Sequence, residues 1–197
     1  MPAQVRRITR DDLLPDATFA AERKARRAAL MPVKGMRRIA LGPLCTFYFE
    51  TYETMLFQVQ EMLLTERGGE AQADDQLAAY NPLIPQGREL VATVMFEIDE
   101  PVRRDALLRR LGGVEDHFFL EVDGRRIAGA PEGDVERTRD DGKTSSVHFL
   151  RFVFDEDDVA AFRREGASVI VGCDHPEYGH LAVVSETSRR ELARDFE

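Results

Sequence analysis

Residues 37–67 read RRIALGPLCTFYFETYETMLFQVQEMLLTER, and a change of period inside this stretch decides the fold. Ile39 and Leu41 alternate with Arg38 and Ala40, and Cys45, Phe47 and Phe49 alternate with Thr46, Tyr48 and Glu50. A period of two on both sides of Gly42-Pro43 predicts a pair of short strands joined by a turn. From Tyr52 the period becomes helical. Met55, Leu56, Val59, Met62 and Leu63 fall on one face, and Thr54, Gln58, Glu61 and Thr65 on the opposite one. Two strands that run straight into an amphipathic helix imply a sheet covered by that helix.

Toward the N-terminus, Thr9 and Asp12 have the spacing of a helix-starting cap. Asp16 is expected to cap a helix running to about residue 30, which Pro32 and Gly35 end. The apolar stripe of this helix is thin, so it should lie across the surface. Residues 1–35 thus read as a basic helical arm packing on the body of a single domain spanning residues 1–197.

Toward the C-terminus, Gly68-Gly69 should end the long helix and open a polar loop to Asp74. A short helix over 75–80 then leads into YNPLIPQG, a rigid proline-held connector. Residues 90–98 are apolar on both faces and predict a central strand. Pro101 starts a helix to residue 111, and Asp123-Gly124 joins strands 117–122 and 125–130 in a tight hairpin. Residues 131–143 are charged and without period, a loop. A strand over 147–154 has Arg151 as its one misfit, and a helix over 155–165 opens with acidic residues. Strands 169–173 and 181–184 and a helix over 186–196 close the chain. Strand pairs separated by single helices predict an α+β fold, a mostly antiparallel sheet with helices packed on one face and around its ends. The strict alternation of a doubly wound parallel sheet fails at residues 37–50, 117–130 and 169–184.

The net charge of −9 is unevenly spread. Residues 1–40 carry +6 and the remainder −15, so most of the surface repels phosphates and general nucleic-acid binding is excluded. No run of residues has the length and apolarity of a membrane span, and the basic N-terminus has no apolar segment behind it, unlike a secretory signal. Two cysteines, Cys45 and Cys173, fit free thiols in a reducing compartment, and the cytoplasm is the expected location. A homo-oligomer is left open.

Three constellations invite a chemical reading. Glu50, Thr54, Gln58 and Glu61 are spaced to form one polar row, near which Tyr80 and Asn81 fold back. The functional reading is the wall of a polar pocket with carboxylates for metal or proton transfer; the bland one is a solvated helix face. Arg151, in a buried strand, needs a carboxylate, with Glu50 or Glu97 as candidates. The second constellation is CDHPEYGH at 173–180. With a four-residue turn over 176–179, His175 and His180 would face each other and Cys173 would lie on the same side, a set able to hold zinc or copper. The bland reading is a buried thiol and a turn histidine. Third, Asp141-Gly142-Lys143-Thr144 looks like the tail of a phosphate loop, but Arg137 stands where that loop needs glycine. A di-iron carboxylate site is excluded too, because neither Glu50 nor Glu61 is followed three positions on by histidine.

The strings RRIALGP, the Thr54 to Gln58 run with QEM and ER, and AYNPLIP resemble an uncharacterised bacterial family, domain-of-unknown-function family 3501. The resemblance is strongest over residues 36–98, with echoes at Ser145-Ser146-Val147, Arg151-Phe152 and Asp174-His175-Pro176 with Tyr178. The chain departs from the family pattern at Thr51, where asparagine is expected, and at His148. The resemblance implies an accessory part in an oxidative-stress or iron–sulfur redox system. The partners it implies are a rubrerythrin-like di-iron protein and an iron–sulfur oxidoreductase, whose genes lie beside those of similar proteins. The alternatives are a small metalloprotein or enzyme using Cys173, His175 and His180, and an interaction module without a small-molecule site.

Overall fold

A computed structural model describes residues 6–66, 69–132, 138 and 141–196. The alternation around Gly42 forms an antiparallel pair, β1 (Arg38–Leu41) and β2 (Cys45–Phe49), with Ile39 opposite Phe47 and Leu41 opposite Cys45. Gly42 is required at this turn twice over. Its φ of 66° is left-handed, and a Cβ there would fall 2.3 Å from the His180 ring. The next strands are β3 (Glu89–Phe96), β4 (Phe118–Val122), β5 (Arg125–Ala128) and the two-residue β6 (Ala130–Pro131). β7 (Val147–Val153), β8 (Val169–His175) and β9 (Tyr178–Val183) follow. The helices are α1 (Asp16–Met36), α2 (Tyr52–Glu66), α3 (Gly69–Tyr80), α4 (Pro101–Arg110), α5 (Glu156–Arg163) and α6 (Glu186–Leu192).

The fold is α+β, and its strands form two antiparallel sheets rather than one. Their orders are β1-β2-β3-β7-β6 and β5-β4-β8-β9. The alternation of the strands turns Phe47, Phe49, Leu90, Val94, Leu150 and Phe152 of the first sheet toward Phe118, Leu120, Val171 and Cys173 of the second. Phe47 and Phe118 meet edge to face with ring centroids 5.5 Å apart, a pairing favoured by the aromatic quadrupole. The sheets are stitched at two places. Gly129 carries the chain from β5 to β6, and its missing side chain leaves room for the Phe152 ring, 2.9 Å from where a Cβ would sit. At the other edge the Tyr178 hydroxyl donates to the Leu41 carbonyl (2.7 Å) and accepts from the Leu44 amide (3.1 Å). Burial pushes this phenol up to about 12, so it stays protonated and able to donate.

The opposite face of the first sheet is covered by helices. Met55 and Val59 of α2 and Leu77 of α3 pack with Ile8, Leu83 and Ile84 on Val91 of β3. Each such side chain taken wholly from water contributes about 1.5–3 kcal/mol. The N-terminal segment is held there by Asn81, whose side chain accepts from the Ile8 amide (2.8 Å) and donates to the Ile8 carbonyl (3.0 Å). α1 buries only Phe19, which meets Phe57 of α2 at 5.6 Å.

Several local expectations need correcting. α1 continues through Pro32 and Gly35 to Met36, and its N-cap is Pro15 rather than Asp16. A proline inside a helix costs about 3 kcal/mol. Here the helix end offsets that cost, for the Arg37 amide bonds the Val33 carbonyl (3.1 Å) and the Arg37 side chain is buried at 2% exposure. Residues 69–74 are helix, the first turns of α3, not a polar loop. Helix termination at Gly68 and most of the 131–143 loop, Arg137 included, lie outside the described residues. The hairpin after β8 turns on Pro176-Glu177 alone, so His175 pairs with Tyr178 and Cys173 with His180.

Candidate functional site

The corner between β2 and α2 positions the site. The Glu50 amide continues the ladder to the Val91 carbonyl (2.8 Å), and Thr51 then starts α2. The Thr54 amide donates to Thr51 Oγ1 (3.2 Å) and the Thr51 amide to Thr54 Oγ1 (2.9 Å). This reciprocal cap also explains why threonine serves where the family resemblance leads one to expect asparagine, since both satisfy helix N-termini. With the helix start fixed, the spacing of four puts Thr54 and Gln58 over the outer face of the first sheet.

That face is laid out by register. Tyr48 of β2 lies opposite Thr93 of β3, and Thr93 opposite Phe149 of β7; in the next row Met95 lies opposite Val147. These residues floor a cavity of about 360 Å³. Thr54, Met55 and Gln58 of α2 wall it, and Tyr80, Leu83, Lys34 of α1 and Arg37 just after α1 complete the lining.

Glu50 is the carboxylate in the wall, 9% exposed. Its Oε2 accepts from Thr54 Oγ1 (2.6 Å) and its Oε1 from Thr93 Oγ1 (2.7 Å), which satisfies a nearly buried charge without a cation. Arg37 forms the back of the cavity. Its Nε donates to the Phe49 carbonyl (3.0 Å) and its Nη2 to the Glu50 carbonyl (3.0 Å) and to the Asp195 carboxylate. Burial pushes the Asp195 carboxyl up to about 6 even though the guanidinium pulls the other way. At the rim, the Tyr48 hydroxyl (2.5 Å) and Thr46 Oγ1 (2.7 Å) donate to Glu97, and these bonds hold its carboxyl below the usual range. The Gln58 amide and the Tyr80 hydroxyl have no hydrogen-bond partner among the described residues, and Lys34 has no carboxylate within ion-pair distance among them.

Of the residues grouped from sequence, the structure places Glu50, Thr54, Gln58 and Tyr80 around this one cavity. It does not bring in the other three. Glu61 points to the α1 side, where Arg23 grips it with Nε and Nη2 at 2.6 Å each, and that bonding holds its carboxyl below the usual range. Asn81 is spent on the Ile8 backbone. Arg151 pairs neither with Glu50 nor with Glu97 but with Glu89 and with Glu132 (2.7 Å), both nearer along the sheet. Lys34, Arg37, Thr93, Met95 and Phe149 escaped sequence reasoning. A lone threonine in the apolar run 90–98 was the available signal for Thr93.

The structure does not assemble Cys173, His175 and His180 as the turn expected from sequence would place them. The two-residue turn removes the expected facing of His175 and His180. His175 is occupied through both nitrogens: Nδ1 accepts from the Glu177 amide (3.2 Å) and Nε2 lies 3.3 Å from the Gly112 carbonyl. The His180 ring packs on Tyr178 (centroids 4.3 Å). Burial pushes the Cys173 thiol up to about 11, which disfavours the thiolate that a metal requires. Among the described residues no three His, Cys, Asp or Glu side chains converge on a metal position. No helix among them is long and apolar enough to cross a membrane.

Known proteins agree with this architecture over nearly its whole length. A crystal structure of a novel protein of unknown function from Burkholderia pseudomallei superposes with a TM-score of 0.89 at 35% sequence identity, covering 96% of this chain and 99% of that one. Among curated proteins none matches the chain. The family model for proteins of unknown function designated DUF3501 matches residues 7–196, and the chain belongs to that family.

Proposed function

We propose that the chain is a binding protein for a small molecule with an apolar body and a hydrogen-bonding end, held in the cavity between α2 and the outer face of the first sheet. One observation carries this reading. The Gln58 amide and the Tyr80 hydroxyl line a mostly apolar hollow with no protein partner among the described residues. Both side chains are half-buried, so a ligand entering the hollow can take up their hydrogen bonds in place of water, and a volume of about 360 Å³ falls in the range of small-molecule sites. Binding is favoured over turnover because both Glu50 oxygens are engaged by threonine hydroxyls and no histidine or cysteine lines the cavity. A part in a redox or peroxide-defence system, with rubrerythrin-like or iron–sulfur partners, rests on the family resemblance and draws nothing from this cavity.

The test is titration with 1-N-phenylnaphthylamine, which fluoresces on leaving water. Saturable binding at one site per chain is expected, lost in Met95→Trp, where an indole fills the floor of the hollow. Absence of saturable binding, or binding unaffected in a folded Met95→Trp variant, overturns the reading and leaves the interaction module as the better account.

A further inference from the structure

A second cavity, of about 350 Å³, adjoins the first and shares Lys34 and Gln58 with it. It runs between α1 and α2, lined by the apolar Leu30, Met31, Phe57 and Met62 and by Arg27, Glu61 and Thr65. Arg27, Met31 and Lys34 stand at i, i+4 and i+7 on α1, one face of the helix over about 10 Å of its length. Met31 is 55% exposed on this face. Glu61, the carboxylate in this lining, is already held by its two bonds to Arg23, and the Arg27 charge acts on it as well. Neither Lys34 nor Arg27 lies within ion-pair distance of a carboxylate among the described residues. On a chain of net charge −9, Lys34 thus stands without a carboxylate partner at the junction of the two hollows, with Arg27 two helical turns away along the second.

Resting on the binding reading above, we infer that the ligand is an anionic amphiphile, an unbranched or aromatic monocarboxylate. Its apolar part lies on Met55, Leu83, Met95 and Phe149, and its carboxylate lies at the junction. The unused hydrogen-bonding groups there are the Lys34 ammonium, which only donates, and the Gln58 amide, which can turn its NH2 toward an anion. Glu50, the acceptor in the wall, already receives one hydroxyl on each oxygen. An anion therefore gains bonds at the junction that an alcohol or amine of the same length does not.

Displacement of 1-N-phenylnaphthylamine by octanoate, octanol and octylamine separates the two readings. Octanoate is expected to displace the probe at concentrations about fivefold below octanol, the margin a single partly shielded ion pair gives. In Lys34→Gln that margin should vanish while the uncharged probe still binds. Equal displacement by octanoate and octanol, a preference for octylamine, or a margin that survives in both Lys34→Gln and Arg27→Gln overturns the anionic inference and leaves the pocket standing. Failure of the probe itself to bind removes the pocket. Cosedimentation with phosphatidylglycerol vesicles is expected to retain no protein; retention lost in Lys34→Gln assigns the cations to a lipid surface and overturns the inference.

Discussion

Replacing Arg37 by methionine keeps most of the buried volume and removes every donor the guanidinium supplies. The structure sets the size of the loss. The carbonyls of Phe49 and Glu50, each bonded at 3.0 Å, lose their partner, and the buried Asp195 carboxylate loses its cation. Removing one partner of a buried ion pair costs about 3–5 kcal/mol. Because the bonds share one side chain, their separate values do not add, and that range is the total expected at pH 8. The cost also depends on pH. Asp195 has a folded pKa of about 6, above its unfolded value near 3.9. Between roughly pH 4 and 6 the folded state therefore binds more protons, and the stability contributed by this group falls as pH rises through that window and levels off above it. Without Arg37, which pulls the carboxyl down, its folded pKa rises further and the decline extends to higher pH. The variant should thus lose more stability than the parent between pH 5 and pH 8. Urea unfolding followed by far-ultraviolet circular dichroism at both pH values measures this. A cost below about 1 kcal/mol at pH 8, or the same cost at pH 5 and pH 8, would refute the reasoning. Arg37→Met combined with Asp195→Asn should recover part of the loss.

Gly42→Ala should cost about 2–4 kcal/mol, because the left-handed φ and the His180 ring beside it penalise a Cβ separately; a thermal melt unchanged within 2 °C would count against this turn geometry. Gln58→Ala should leave stability within about 0.5 kcal/mol, since the amide has no protein partner to lose, while weakening probe displacement by octanoate; a large loss of stability would show that the amide is structural. The bonds from Arg189 and Arg190 hold the Glu186 carboxyl down at about 2. Its folded pKa lies below the unfolded one, so its contribution is present above about pH 4.5 and is lost as pH falls toward 2. Glu186→Gln should flatten the acid limb of a stability–pH profile, and an unchanged acid limb would contradict that pairing.

Much of this arrangement was legible where local periodicity decides it. The switch from period two to a helical period at Tyr52 placed β1, β2 and α2, and with them Glu50, Thr54 and Gln58. The cavity floor was not legible, because Tyr48, Thr93 and Phe149 become neighbours only through strand register across 101 residues of chain. Lys34 and Arg37 were missed for a different reason. Pro32 argues for a helix end, and only the burial of Arg37 carries α1 onward to the site. Glu61 and Asn81 were grouped with the pocket because spacing and proximity cannot say which partner a polar side chain will find; Arg23 and the Ile8 backbone had the better geometry. The expected facing of His175 and His180 failed on turn length. Two residues fewer between β8 and β9 changed which side chains face each other, and nothing local separates a two-residue from a four-residue turn at HPEYG.

The chain contains six methionines, and two of them, Met55 and Met95, line the cavity on the sheet. Methionine-methyl NMR during titration with octanoate reports directly on whether that hollow is a binding site. Saturable shifts of the Met55 and Met95 methyls, with the same midpoint, are what the account predicts. Methyls of Met55 and Met95 that stay in place while octanoate saturates elsewhere, or while nothing saturates, would contradict it.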